Sequence, residues 1–412
     1  MNPQVGVDVA ETRSYRGRCM PIVRLKPGHV QPVWMGHPWV YAQAIDRVEG
    51  GATAGDEVSV VDPRGNLLGR GFYSPGSAIP VRLLVRDATT PLDGAFFRTM
   101  IDRAVSLRAM LGLPSDETNG YRLVHAEGDG LPGLIVDRFG DTLSVQFSTF
   151  GMKAREGLVF EALSERLSPR AIVDRTANGV AASEGFLPTR GVVRGEEITA
   201  FEFKERGLSF RIPLDVGQKT GFYFDQRPLR ARVEHISRGK RVLDAYSFVG
   251  AFAMAAARGG ATKVVAVDES AIALEVGAES ARLNDLDGRI EFLKHDARKH
   301  LSEAKGSYDV AIVDPPRLAP TRGSRDNALM AYSKLAEHAC HAVAPGGVLV
   351  YCSCSGAVDL FALARALATG ARRANVQATV FERGFQGADH PGPAAFPEGI
   401  YLKWVMARIE PR

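Results

Sequence analysis

Residues 348–356, VLVYCSCSG, form an apolar run that stops at two cysteines spaced C-x-C among small polar residues. A core strand has no need of that ending. Four roles are open to such thiols: disulfide, metal ligand, packing, or nucleophile. A C-x-C pair is poorly placed to bridge to itself, and four cysteines in 412 residues suit a reducing compartment rather than a disulfide framework. The nearby HACH, residues 338–341, sits inside a helical pattern with no C-x-x-C partner, so no metal site is expected. Free cysteine is often buried, and packing is the preferred reading of Cys352. For Cys354 chemistry is preferred, because it falls where a parallel sheet presents its ligand.

That sheet is read from the chain after Lys240. Short, nearly all-apolar runs (RVLDAY, KVVAVD, RIEFLKHD, YDVAIVDPP, GVLVYCSCS) alternate with helical segments such as SAIALEVGAESARLN. The alternation means a parallel α/β sheet covered on both faces, whose ligands sit outside the carboxyl ends of the strands. The first strand ends at Asp244 and leads into AYSFVGAF, with Tyr246, Ser247 and Gly250. The second ends at Asp268, the third at Asp296, and the fourth at Asp314-Pro315-Pro316. Gly250 allows a tight turn and close approach of a ligand. Asp268 is placed to bond a ribose diol. One glycine in place of G-x-G-x-x-G supplies a pyrophosphate cradle poorly. A nucleoside without phosphates fits better, and S-adenosylmethionine is the expected cofactor, with Asp296 meeting the adenine amine. Any one of these aspartates would equally cap the next helix; four in register favour a ligand. Upstream, residues 215–227, DVGQKTGFYFDQR, are dense in polar and aromatic residues. They are expected to fold over the cofactor rather than to form a solvated lead-in loop.

A thiol beside a methyl donor and a carboxylate suits one reaction in particular. Pyrimidine ring carbons are poor nucleophiles. A thiolate added at C6 makes C5 enamine-like, able to attack the methyl group; a base then removes the C5 proton and the thiol leaves. Methylation of an exocyclic amine needs no cysteine. Asp314 would bond the N3/N4 edge of the base, and Arg317 and the sulfonium would favour the thiolate. The proton-removing base is not evident; Cys352, His390 and Glu398 are the candidates. A stacked pyrimidine is out of reach, so the target must be unpaired or flipped, and further domains that hold RNA would help.

The rest of the chain supplies room for them, since 412 residues exceed one ordinary core. From Met20 to Asp87 short strands are broken by turns such as Pro63-Arg64-Gly65-Asn66. AFFRTMIDRAVSLRAML then turns helical, and a mixed α+β stretch follows to about Arg211. A net charge of +4 permits nucleic-acid binding without arguing for it. No apolar run reaches the length of a membrane span, and the first twenty residues lack a signal-peptide core. A cytoplasmic protein is expected.

Taken together, HPWVY, GRGFYSPGSAIPVRLL, YRLVHAEGDGLPGLIVDRFGD, GQKTGFYFDQR, DAYSFVGAF, VDPPR, YCSCSG and ADHPGPAAFPEGIYLKW resemble the bacterial large-subunit ribosomal RNA methyltransferase I family, enzymes that make 5-methylcytosine in 23S rRNA. The resemblance runs from Ile22 onward. It implies a tail over residues 1–20, a PUA RNA-binding domain over 21–93, a central α+β domain over 94–211, and a Rossmann-like class I methyltransferase domain over 212–412. It puts the nucleophile on Cys354, with Asp314 beside it. The cofactor would meet Lys219, Thr220, Gly221, Phe224, Asp225, Gln226 and Arg227, and the strand-end residues Asp244, Tyr246, Ser247, Gly250, Asp268, Asp296, Asp314 and Pro315. The substrate, 23S rRNA, would meet Pro316, Arg317 and Glu398. Two departures bear on specificity. The family often has lysine after the Asp-Pro-Pro; here it is Arg317, an arginine as in the related uracil-5 methyltransferases, and Cys352 replaces a residue that is commonly not cysteine. A uracil-C5 enzyme and a non-catalytic RNA-binding assembly factor are the alternatives, with a small-molecule methyltransferase a third. The oligomeric state is open, a homodimer included.

Overall fold

β-Branched residues alternating with polar ones favour short pleated strands, and such strands dominate the first half of the chain. The structure, a computed structural model, describes residues 20–216, 220–318 and 325–412. The tail expected over residues 1–20 lies outside the described residues except for Met20, and Lys219 lies outside them too. The chain divides into two compact units, neither of them one continuous segment. The first takes residues through Ser115, Gly120–Ile198 and Asp389–Gly399. The second takes Asp116–Asn119, Thr199–Ala388 and Ile400–Arg412.

The first unit holds two sheets. In the six-stranded one, Ile22–Leu25 lies between Glu57–Val61, parallel to it, and Ile45–Glu49, antiparallel. Val23, Leu25, Val58, Val60, Val81 and Leu83 fill its core. The five-stranded sheet runs Gly191–Gly195, Ala171–Asp174, Thr142–Phe147, Leu134–Phe139, Gly120–His125. Helices Gly94–Met110 and Glu156–Leu167 bury Phe97, Ile101, Val159 and Leu163 on it. Asp93 starts the first of these helices, its carboxylate accepting the Ala95 and Phe96 amides. The excursion Asp389–Gly399 is fastened to this unit by buried polar groups. The wholly buried Arg108 donates to the Asp389 carbonyl at 2.8 Å, and Asp389 accepts the Arg122 amide at 3.0 Å.

The second unit opens with a hairpin, Ala200–Glu205 against Leu208–Pro213, turned at Arg206 and Gly207, which both take positive φ. Such a two-residue turn matches the twist of the strands it joins. The seven-stranded sheet follows: β1 Arg241–Ala245, β2 Lys263–Asp268, β3 Ile290–Lys294, β4 Tyr308–Val313, β5 Val343–Ser353, β6 Val376–Phe385 and β7 Lys403–Pro411. Its order is β3-β2-β1-β4-β5-β7-β6. The first five strands are parallel, and β7 is antiparallel to both β5 and β6. Val242, Leu243, Val264–Val267 and Val310–Val313 are buried, as expected of strands covered on both faces. Sequence reading found β1–β5 and not the last two. The chain reverses direction across the sheet between β1 and β4, the position at which open α/β sheets bind ligands.

Candidate active site

Beyond β1 the backbone is held in an unusual shape. Tyr246, Phe248 and Gly250 have φ of 65°, 50° and 68°. For the two aromatic residues this costs roughly 1–2 kcal/mol each, a kind of strain that gathers at ligand-binding loops. At Gly250 a Cβ would lie 2.9 Å from the Phe292 ring, so both the φ and the space call for glycine. The Ser247 amide donates to the Val267 carbonyl at 2.9 Å, tying the loop to β2, while the buried Ser247 Oγ has no hydrogen-bond partner among the described residues.

The strand-end aspartates separate by role. Asp244 is fully enclosed and accepts the Ala253 amide at 3.0 Å in the opening turn of helix Ala251–Arg258. Burial, eased by that amide and reinforced by the charges of Asp314 and Asp268, pushes its carboxyl up to about 8. Asp268 accepts the Phe248 amide at 2.8 Å and the Ser270 amide at 2.9 Å. Each of its oxygens keeps a lone pair for a hydroxyl. Asp296 is the N-cap of helix Ala297–Glu303, taking the Arg298 and Lys299 amides at 2.7 and 3.2 Å. The Lys299 amide chiefly, against partial burial, holds its carboxyl below the usual range. The capping reading weighed against a ligand role at strand ends therefore accounts for much of Asp296 and part of Asp244.

The 220–227 stretch is locked by aromatic packing. Phe222 and Phe224 turn onto Phe203 and Phe210 of the hairpin, ring centroids 5.0–5.4 Å apart. Thr220 is buried beside them in sequence, and Gly221 has φ 133°. Tyr223, on the alternate side, packs edge-on against Phe248 at 5.7 Å. Burial first, then Asp314, Asp225, Cys354 and Asp268, push its hydroxyl above the tyrosine range, so it stays a proton donor among those four groups. Asp225 accepts from the Tyr401 hydroxyl at 2.7 Å; its Oδ1 is buried without a partner among the described residues. Gln226 Nε2 donates to Asp314 at 2.8 Å, joining this stretch to the Asp-Pro-Pro loop, and Gln226 Oε1 is likewise left without a partner. Arg227 does not share this pattern. Its Nε approaches Glu205 at 3.5 Å, beside the bidentate Arg230–Glu205 pair at 2.6 and 2.7 Å.

At β5 the strand stops at Ser353. Cys352 is fully buried, and burial drives its thiol well above the ordinary value, in keeping with a packing role. Cys354, one residue past the strand end, is half-buried. It is bracketed by two fully buried serines: Ser353 Oγ donates to the Tyr332 hydroxyl at 2.9 Å, and the Ser355 amide donates to Ser353 Oγ at 3.2 Å. Pro315 is buried; Pro316 and Arg317 are exposed. Two of the residues expected here belong to the first unit. Glu398 accepts from the Tyr41 hydroxyl at 2.8 Å and meets His37 Nε2 at 3.1 Å. His390 pairs with Asp389 at 3.0 Å and packs against the His125 ring.

Sequence reading passed over Tyr223, Tyr332, Tyr401 and Lys403. Tyr223 lay inside a stretch already singled out. Tyr332 lies on the helix that leads into β5, Arg325–Ala342, and Tyr401 and Lys403 reach β5 through its antiparallel pairing with β7.

Unpartnered, buried acceptors on Asp225, Gln226 and Ser247, together with the diol-competent Asp268, fit a ligand with an amine and hydroxyls, as S-adenosylmethionine has. Residues 188–383 match the S-adenosylmethionine-dependent methyltransferase family, and residues 23–86 match the PUA-like domain family. Fold and site define an S-adenosylmethionine-dependent methyltransferase of class I with an N-terminal PUA-like domain. The ribosomal RNA large subunit methyltransferase I of Shewanella denitrificans is 35% identical over 394 residues, covering 94% of this chain and 99% of that protein. Its namesake from Citrobacter koseri is 35% identical over 390 residues, covering 93% and 98%. The chain belongs to the ribosomal RNA large subunit methyltransferase I family. A solved structure of SMU.776, assigned as a methyltransferase and complexed with SAH, shares the fold with TM-score 0.82 at 19% identity over 94% of this chain and 99% of that one. Among the described residues no helix is long and apolar enough to cross a membrane.

Proposed function

We propose that this cytoplasmic methyltransferase modifies C5 of a cytosine in 23S ribosomal RNA through a covalent adduct on Cys354. Its relatives are named ribosomal RNA large subunit methyltransferase I, which supports the substrate class. The PUA-like domain supports RNA binding. We read the first unit as that domain, to residue 93, followed by a central domain; of the stretch expected to run to residue 211, residues 199–211 belong to the second unit.

The contrast between the two cysteines carries the chemical reading. Cys352 is sealed in the strand, while Cys354 is half-buried, in the same charged neighbourhood as Asp314 and Tyr223. The cofactor would be held by Asp268, Ser247 and Asp225 along the strand ends, with Gly250 giving close approach and Asp296 and Tyr246 at the margin. When bound, S-adenosylmethionine supplies an electrophilic methyl group to a carbon made nucleophilic beside it. Cys354 as thiolate forms the S–C6 bond, which moves the electron pair of the C5–C6 double bond to C5. Once C5 has taken the methyl group, its bond to the sulfonium sulfur breaking to leave a neutral thioether, loss of the C5 proton to a base restores the double bond and breaks S–C6, returning the thiolate. Asp314, oriented by Gln226, is suited to bond the N3/N4 edge of the base, with Pro316 and Arg317 exposed next to it.

Incubation with labelled donor and unmodified 23S rRNA, followed by site mapping of the product, tests the reading. The expected product is 5-methylcytidine. Cys354→Ala is expected to lower turnover about 10³-fold or more with cofactor affinity kept within about threefold. Turnover retained in that variant would rule out the adduct, and 5-methyluridine would replace cytosine by uracil.

A further inference from the structure

Lys403 opens β7 and is 2% exposed, an unusual place for a lysine. Its Nζ donates to the Ser355 carbonyl at 2.6 Å and the Tyr401 carbonyl at 2.8 Å. An ammonium has three donors; the third has no protein partner among the described residues, and no carboxylate pairs with this cation there. The register sets Lys403 opposite Ser353, the last residue of β5, and its side chain reaches Ser355, so one lysine meets the two residues that bracket Cys354, one through the strand pairing and one through Nζ. Removing a charge from water without a paired anion is costly. Nothing in the packing of β7 requires a lysine; an apolar residue would fill the position.

We propose that Lys403 is a positioning residue for the thiol chemistry: it clamps the Cys354 loop through the Ser355 carbonyl, and its buried positive charge is the fixed counter-charge that holds Cys354 as a thiolate. The proposal rests on the reading of Cys354 as nucleophile. The electrostatic surroundings agree with it. Burial lowers the ammonium to about 8; of the charges acting on it, Cys354 is the strongest stabiliser, Asp359 the next, and Arg317 opposes them. The same charged neighbourhood holds Asp314 and the Tyr223 and Tyr332 hydroxyls, both kept protonated by burial. Asp314 disfavours a thiolate, and of the two cations in this neighbourhood Lys403 is the enclosed one, whereas Arg317 is exposed to solvent. Near neutral pH the lysine remains mostly charged, so the pair exists where the enzyme would work. An ordinary free thiol, with a value of roughly 8.5, is only a few per cent ionised there.

The test is alkylation of Cys354 by iodoacetamide in the full-length protein, read peptide by peptide by mass spectrometry from about pH 5.5 to about pH 9.5. In the unaltered protein the midpoint is expected at least about one unit below the ordinary thiol value; a midpoint at or above that value overturns the proposal without any variant. Lys403→Met is expected to raise the midpoint by about one unit and slow alkylation at neutral pH about tenfold, while Lys403→Arg keeps both within about twofold. An unchanged midpoint in Lys403→Met overturns it too. Continued protection of the buried Cys340 and Cys352 reports that each variant is folded. Because alkylation reads the thiol and not turnover, a low midpoint in a protein whose Cys354→Ala variant still methylates RNA would retain the lysine clamp and discard the nucleophile.

Discussion

In the first unit Arg108 is wholly buried, and its guanidinium meets Asp129 and the Asp389 carbonyl; Arg122 meets Asp137 and Lys153 meets Asp174 in the same manner. At the strand ends of the second unit Asp225, Gln226 and Ser247 are also buried, yet each keeps an acceptor without a partner among the described residues, and Asp244 is bonded by the Ala253 amide. The first arrangement is complete as it stands. Its charges are paired and bonded, as burial requires. The second is complete only with something added. Buried polar atoms left open cost about 1–3 kcal/mol each, and a protein retains them where a ligand closes them. The distinction separates structural from functional burial in one chain. His390 Nε2 is the exception in the first unit: it too lacks a partner among the described residues.

Substitutions sharpen the contrast. Arg108→Met leaves Asp129 enclosed without its cation, and a loss of about 3–5 kcal/mol in urea unfolding is expected, with cofactor affinity unchanged in the folded fraction. A variant as stable as the parent would mean that the first network is not structural. Gln226→Leu removes an open acceptor and the bond that orients Asp314. Stability is expected to shift by less than about 1 kcal/mol, while turnover falls about 10- to 100-fold. The reverse outcome, a large loss of stability with normal turnover, would erase the difference between the regions. Gly250→Ala asks a Cβ to fit at φ 68° against Phe292. Cofactor affinity is expected to drop about tenfold, matching roughly 1–2 kcal/mol of strain, read by calorimetry.

The last comparison concerns protons. Asp244 has a folded value of about 8, above its ordinary 3.8. The folded state therefore binds more protons than the unfolded one between these values. The stabilisation is full below the ordinary value and is lost as pH rises through about 8. Melting of the cofactor-free protein is expected to weaken over that window. Asp244→Asn, which still accepts the Ala253 amide, is expected to flatten this part of the curve. Identical pH profiles would show that Asp244 is not held neutral.

Much of the second unit was legible in the chain. KVVAVD and YDVAIVD are apolar on both faces, which only a covered parallel strand tolerates, and Gly250 and the Asp-Pro-Pro turn mark the ligand edge. β6 escaped notice because alternating exposure, with Phe381 and Phe385 partly in solvent, mimics a polar surface strand. That Asp389–Gly399 belongs to the first unit escaped for a different reason: its partners Arg108 and Arg122 lie more than 260 residues earlier, and no local pattern encodes such a pairing. Asp296 admits both readings because capping and ligand binding both ask for an aspartate at a strand end. Lys403 was hidden because a lysine opening a strand reads as a solvated end, and only the pairing with Ser353 reveals that it is enclosed.

The adduct itself offers the most direct test. RNA carrying 5-fluorocytidine puts fluorine where the C5 proton would leave, so the S–C6 bond, once formed and C5 methylated, cannot be released. In the presence of S-adenosylmethionine the expected result is a stable protein–RNA species whose cross-link maps to Cys354 by mass spectrometry. A methylated product with no trapped species, or a cross-link on any other residue, would contradict Cys354 as the nucleophile.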